Sequence, residues 1–370
     1  MARTEIYVDP SIAGDSGTGS VGDPYGDFQY CLSNETFDTT NGTRINAKAG
    51  TDEILGAALD FATNFTAEGG PAYNNPGLII QGYTSAAGDG GSGGINGNGS
   101  YGPMNQTGLG GTALVDMHLH NSGSATLVSL GNYSGMINCE LNHTTGNGSS
   151  NVTAYGCHYH DIGGEGAVAG VVVGCYFKNE TKSFTNAVTI SGLRICLRNI
   201  ISLSGNSNGI YSGSTYAPVI QSNSIFNTAA GSGTGKGIRG YASQYAPMII
   251  ANNIVEGFSV NYDPIATVPL YSMFGNAAFN GGTNYGTEMP GWIGLDTPDN
   301  EVLGSTGFAK SGSDTFANRF AYFAPLDVGN VRGGSWPVGC RLDKGAVQHA
   351  DAGGGGLSLI QTRRSTLIGR

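Results

Sequence analysis

The sequence predicts an all-β fold: a single-stranded, right-handed parallel β-helix, a solenoid closed at each end by a cap. Three observations carry that prediction. The first is composition, with 63 glycines, 39% hydrophobic and only 12% charged residues in 370, against roughly 25% charged and about 7% Gly in an ordinary domain. The apolar content is adequate and the charge low, which argues against disorder. The second is a repeat. Cys139, Cys157 and Cys175 recur every 18 residues, each with an apolar or aromatic residue two positions later, and the slot passes to Asn199, Asn223 and Asn252 at steps of 24, 24 and 29. Going backward, Met117 holds it 22 residues before Cys139. The third is a second apolar burst 10 to 15 residues after each slot, at Leu127, Val152, Val168, Val188, Ile210 and Ile238, across turn-forming stretches such as TTGNGSS and SGNSNG.

Each repeat thus holds two short strands with glycine-rich corners. None buries a hydrophobic face alone, but stacking the copies creates a continuous core. Coils rise by one strand spacing, ~4.8 Å, so equivalent residues form columns. The slot Met117, Cys139, Cys157, Cys175, Asn199, Asn223, Asn252 is read as a buried ladder. Thiols behave there as compact hydrophobes, and stacked asparagines share amide hydrogen bonds.

Along the chain, residues 1–76 read as an N-terminal cap. IYVD is a strand, and TDEILGAALDFATNF (51–65) has helical spacing at Ile54, Leu55, Ala58, Leu59, Ala62 and Phe65 with acids in its first turn. Coils begin at Gly77 with LIIQGYT and run to about residue 260, and AAGDGGSGGINGNGSYGP (86–103) reads as a surface loop. Residues 261–348 read as irregular final coils and a C-terminal cap ending in the strand RLDKGAVQ. Residues 349–370 are a Gly linker and a basic tail. In that tail Arg363, Arg364, Leu367, Ile368 and Arg370 form a candidate docking element, the arginines as forked donors to carboxylates.

Two stretches, MHLH (117–120) and GCHYHD (156–161), concentrate histidines. If Cys139 and Cys157 point inward, alternation turns their neighbours outward. His118, Glu140 and His158 then form one exposed column, and His120, Asn142 and His160 another. Histidines two coils apart are ~9–10 Å distant, too far for one ion held at ~2 Å by every ligand. His118, His158 and His160 are therefore expected not to converge, and no metal or cofactor is assigned.

A net charge of −10 argues against a nucleic-acid partner. No run reaches the ~18 apolar residues of a membrane span. MARTEIYVDP lacks the apolar stretch of a secretory signal, so the six cysteines are expected to be reduced.

IYVDPSIAGDSG, NGTRINAKAGTDEIL and LDKGAVQ resemble the entry cap and closing strand of the pectin-lyase-like superfamily of right-handed β-helices, over about residues 1–348. The chain is also similar to β-helical proteins of tailed bacteriophages. That resemblance implies a virion structural protein, a capsid decoration or a fibre- or spike-like appendage. It would be a homo-oligomer, a trimer by preference, docked on other virion proteins through its tail, with host-surface polysaccharide as a further ligand. The alternative is a polysaccharide-degrading lyase or glycoside hydrolase of the tailspike type. The superfamily's arginine-proline lyase motif is absent. A hydrolase would need two carboxylates ~5–9.5 Å apart, for which Asp116, Glu140, Asp161, Glu165 and Glu180 are the candidates, and no convincing pair emerges. No catalytic residue is assigned. Tyr133, Tyr155, Tyr159, Tyr176, Tyr211 and Tyr216 could stack on sugars.

Overall fold

The computed structural model describes residues 3–294, apart from 13, 15, 39, 62–76, 107–109, 132, 180, 214–217, 228–233, 241–247, 252, 264–270, 275 and 280–292. Parallel strands dominate it. The chain divides into two compact units, residues 1–171 with 179–184, and residues 172–178 with 185–370.

In the first unit one sheet runs Thr4–Val8, Thr43–Lys48, Leu78–Tyr83, Ala113–Val115, Gly135–Ile137, Ser149–Tyr155, each strand parallel to the next. The other runs Asp52–Ile54, Gly93–Asn96, Met117–Gly123, Glu140–Thr144, His158–His160. The chain alternates between the two sheets and returns one rung further on each time, which is the path of a parallel solenoid. The second unit repeats the arrangement. One of its sheets contains Asn186–Leu197, Asn208–Ser212, Lys236–Arg239 and Val260–Asp263. The other contains Tyr176–Lys178, Ile200–Leu203, Ser224–Asn227, Ile254–Glu256, Ala277–Phe279 and Ile293–Gly294.

The corner between sheets is a single left-handed residue. Asp116, Asn138 and Gly156 occupy it in the first unit, and Gly174, Arg198 and Ser222 in the second, all with φ between 52° and 64°. Asp, Asn and Gly tolerate that conformation best. Each corner residue immediately precedes a ladder residue, so the sharp turn drives that side chain inward. Met117, Cys139 and Cys157 are 1–2% exposed in the first unit, and Cys175, Asn199 and Asn223 are fully buried in the second. No disulfide joins the five described cysteines. Two residues beyond the ladder slot a second buried column forms, Leu119–Leu141–Tyr159 in the first unit and Phe177–Ile201–Ile225–Val255 in the second. Burying each such side chain stabilises by about 1.5–3 kcal/mol.

The asparagine ladder continues through Asn253 and Asn276, with Asn253 bonded to Asn223 and Asn276 to Asn253. Asn252, the expected rung, lies outside the described residues. Apolar residues flank either choice in IANNI, at 250 and 254 or at 251 and 255, so spacing alone does not decide. The decisive feature is the inward column three positions earlier, in which Cys196 pairs with Ile220 and Ile220 with Ile250, so that Asn199, Asn223 and Asn253 fall in one column.

Three other expectations change. The helix expected over 51–65 is not formed over 52–60, where Asp52–Ile54 is a strand and 55–60 carries no helix; Phe61 is helical, and 62–65 lie outside the described residues. Its pairing with Gly94–Asn96 and the inward Glu53 outweigh a helical spacing that isolated segments of this length barely sustain. A helix does form at Phe28–Asn34, capped by Asp27 and burying Phe28, Cys31 and Leu32. Parallel pairing already begins at Thr4–Val8, inside the segment read as a cap. The glycine-rich 86–103 stretch contains the strand Gly93–Asn96. The tail residues Arg363, Arg364, Leu367, Ile368 and Arg370 lie outside the described residues.

Candidate functional site

The outer face of the second sheet in the first unit collects the histidines. Because side chains alternate along a strand, Met117 and Leu119 go inward while His118 and His120 go outward, and Tyr159 goes inward between His158 and His160. The register sets Glu140 beside both His118 and His158, and Asn142 beside His120, as the expected columns require.

The expectation that these histidines stand apart fails within each strand. Residues two apart share a face, and the two rings of each strand stack. Centroids are 4.3 Å apart at 4° for His118 and His120, and 4.5 Å apart at 22° for His158 and His160. A carboxylate from an earlier coil closes each pair. Glu140 Oε1 is 2.9 Å from His160 Nε2. Asp52 Oδ2 is 2.8 Å from His120 Nε2 and 3.8 Å from His118 Nδ1. In each triad, Asp52–His118–His120 and Glu140–His158–His160, one ligand atom per residue lies within 4.8 Å of the others.

Asp52 reaches its partners across an intervening coil. Its register neighbour is Gly94, whose own next neighbour is His118. A Cβ on Gly94 would fall 1.5 Å from Asp52 Oδ1, so the absent side chain is the passage through which the carboxylate reaches the imidazoles. This contact was hidden in the sequence, since Asp52 sat in an expected helix and Gly94 in an expected loop.

The electrostatics differ between the two triads. Burial, reinforced by neighbouring His118, lowers the His120 pKa against the pull of Asp52. The hydrogen bond from His160 holds Glu140 down at about 2. Chemically, each triad offers two imidazole nitrogens and one carboxylate oxygen with open sides, a donor set that suits divalent transition metals.

Two of the other candidate acids, Asp161 and Asp116, are tied into the wall. Asp161 is buried, and though burial pushes its carboxyl up, bonds from Thr181 N (2.6 Å), Thr181 Oγ1 (2.8 Å) and Lys182 N (3.2 Å) bring it below its usual value. Asp116 accepts from Asn138 Nδ2 on the next coil. Glu180 lies outside the described residues. The carboxyl raised most clearly is Glu53, which burial pushes to about 8 although the amides of Phe28 and Gln29 pull it down. It lines a cleft of about 370 Å³ with Asp27, Tyr30, Leu55 and Leu59, and its bonds to the first turn of Phe28–Asn34 make it a cap. Of the tyrosines, Tyr159 is fully buried, Tyr133 and Tyr155 are exposed, and Tyr216 is outside the described residues. Among the described residues no helix is long and apolar enough to cross a membrane.

Comparison with protein-family models, with curated proteins and with solved structures found no match. The class defined by fold and face is therefore stated from the molecule itself: an all-β parallel solenoid with a histidine–carboxylate outer face.

Proposed function

We propose that this chain is a structural component of a tailed-bacteriophage particle, a capsid decoration or a fibre- or spike-like appendage, assembled as a homo-oligomer with a trimer favoured. Its coil is right-handed, as crossovers between parallel strands almost always are. The observation that carries the reading is the state of the outward acids. A glycosidase needs one carboxyl raised so that it can donate a proton, whereas Glu140 and Asp161 are both lowered by bonds to their neighbours. Those acids hold coils together. Buried ladders stiffen the same scaffold, and Ile137 and Tyr155, register partners on adjacent strands, are each 43% exposed. That apolar pair suits side-by-side association.

Attachment is assigned to residues 349–370, where the Gly run gives reach and the arginines and apolar residues give contact. Glycan binding is a second reading, favoured by Tyr133 at 80% exposure. Deleting 351–370 is expected to leave the melting of the solenoid unchanged and abolish incorporation into particles. Wild-type occupancy of the truncated chain would overturn the attachment assignment. Release of reducing ends or unsaturated sugars from a polysaccharide panel would replace the structural reading with the enzymatic one.

A further inference from the structure

We propose that the outer face of the first unit binds two divalent transition-metal ions, one held by Asp52, His118 and His120 and the other by Glu140, His158 and His160. Each set brings three ligand atoms within 4.8 Å of one another. Two atoms bound to one zinc ion at ~2.0–2.1 Å lie no more than ~4.2 Å apart, so small side-chain rotations close each set on an ion.

Two independent features point to a ligand. The first is the passage over Gly94. Any other residue there would displace Asp52, and the carboxylate would lose the imidazoles it now contacts. The second is an unresolved hydrogen-bond conflict at the other triad. His160 Nε2 lies 2.9 Å from Glu140 Oε1 and 3.0 Å from Asn142 Nδ2. It needs a proton to serve the carboxylate and a lone pair to serve the amide, and it cannot present both. Asn142 is 7% exposed, and its Oδ1 is buried without a partner. Turning the amide over would set its oxygen against the Glu140 carboxylate and strand the NH₂ group instead. A cation between His160 and Glu140 removes the conflict: it takes the lone pair and the negative charge, and leaves Asn142 to donate to Glu140 at 3.3 Å. In the other triad, His118 Nε2 is likewise buried without a hydrogen-bond partner.

Two nitrogens and one oxygen with open positions favour Zn²⁺, Co²⁺, Ni²⁺ or Cu²⁺ over Ca²⁺ and Mg²⁺, which prefer all-oxygen shells. The two ions would sit about two coil rises apart, ~10 Å, each joining strands from different coils. The sites stand whether or not the particle role does.

The test uses the full chain without a histidine tag, stripped with chelator. It is titrated with Zn²⁺ by calorimetry and with Co²⁺ by visible absorption, and far-UV circular dichroism checks the fold of every variant. Wild type is expected to take up two equivalents, with Co²⁺ ligand-field bands and a raised melting temperature. His160→Ala is expected to retain one equivalent. Gly94→Ala, which changes no ligand, is also expected to retain one, and the double variant none. If Gly94→Ala fails to fold, Asp52→Ala reads the same site from a half-buried position. Ca²⁺ and Mg²⁺ should give no saturable uptake. The proposal is overturned if Zn²⁺ and Co²⁺ show no saturable binding, or if His160→Ala and the folded Asp52-site variant still bind two equivalents.

Discussion

Asn223→Ala tests the buried ladder at its best-connected rung. Asn223 Oδ1 accepts from both Asn199 N and Asn199 Nδ2 at 2.9 Å, while its Nδ2 donates to Cys196 O at 3.0 Å and to Asn253 Oδ1 at 2.9 Å. Truncation leaves the Asn199 amide with no acceptor in a site that is fully buried. Asn199 Nδ2 keeps Val172 O, and Asn253 Oδ1 keeps the Asn223 amide, so those partners are weakened rather than orphaned. One orphaned amide costs about 1–3 kcal/mol, and the weakened bonds and the cavity add to it. The expected loss is about 3–4 kcal/mol. Asn223→Asp should be worse at neutral pH, because a buried charge then faces Cys196 O and Asn253 Oδ1 where donors stood. Because solenoids need not unfold in one step, the assay pairs denaturant unfolding with hydrogen exchange. The Asn199 amide should lose protection in the Ala variant before amides several coils away. A loss below about 1 kcal/mol, with Asn199 still protected, would refute the ladder as a source of stability.

Burial raises Glu53 to about 8, so the folded state holds its proton more tightly than the unfolded chain. The stability this confers is complete below the ordinary carboxyl range and is lost as pH climbs through about 8, a slope worth on the order of 3–5 kcal/mol. Glu53→Gln should flatten it in melts between pH 5 and 9, and an unchanged slope would assign the dependence elsewhere. The thiols of Cys139 and Cys196 are fully buried, and burial raises both pKa values. Neither should react with iodoacetamide in the native protein, while both should react once it is denatured without reductant. A disulfide-linked peptide at either position would contradict the reduced core.

The columns were legible because a coil must place like residues at like positions, and the 18-residue cysteine spacing reports that directly. Alternation likewise gave the outward columns of His118, Glu140 and His158, and of His120, Asn142 and His160. Three things were not legible, each for a physical reason. Coil lengths vary, so IANNI fitted two registers. The Asp52–Ile54 segment carries a helical spacing that sheet pairing overrides. Gly94 matters for the side chain it lacks, and a missing side chain leaves no mark in a hydrophobic pattern. The Asp52–His118–His120 triad depended on the last two, whereas the Glu140–His158–His160 triad arises because residues two apart on one strand share a face, which a reading by separate columns passes over.

The central claim, that the chain is a structural part of a phage particle, is tested most directly by reconstructing purified particles by electron cryo-microscopy at a resolution that separates strands ~4.8 Å apart. The account predicts surface density into which the coils of residues 4–263 fit as repeated copies, threefold where the oligomer is a trimer, with density from the C-terminal tail entering the shell or tail. Particles with no such density, in a preparation whose host lysate contains the intact chain free in solution, would contradict it.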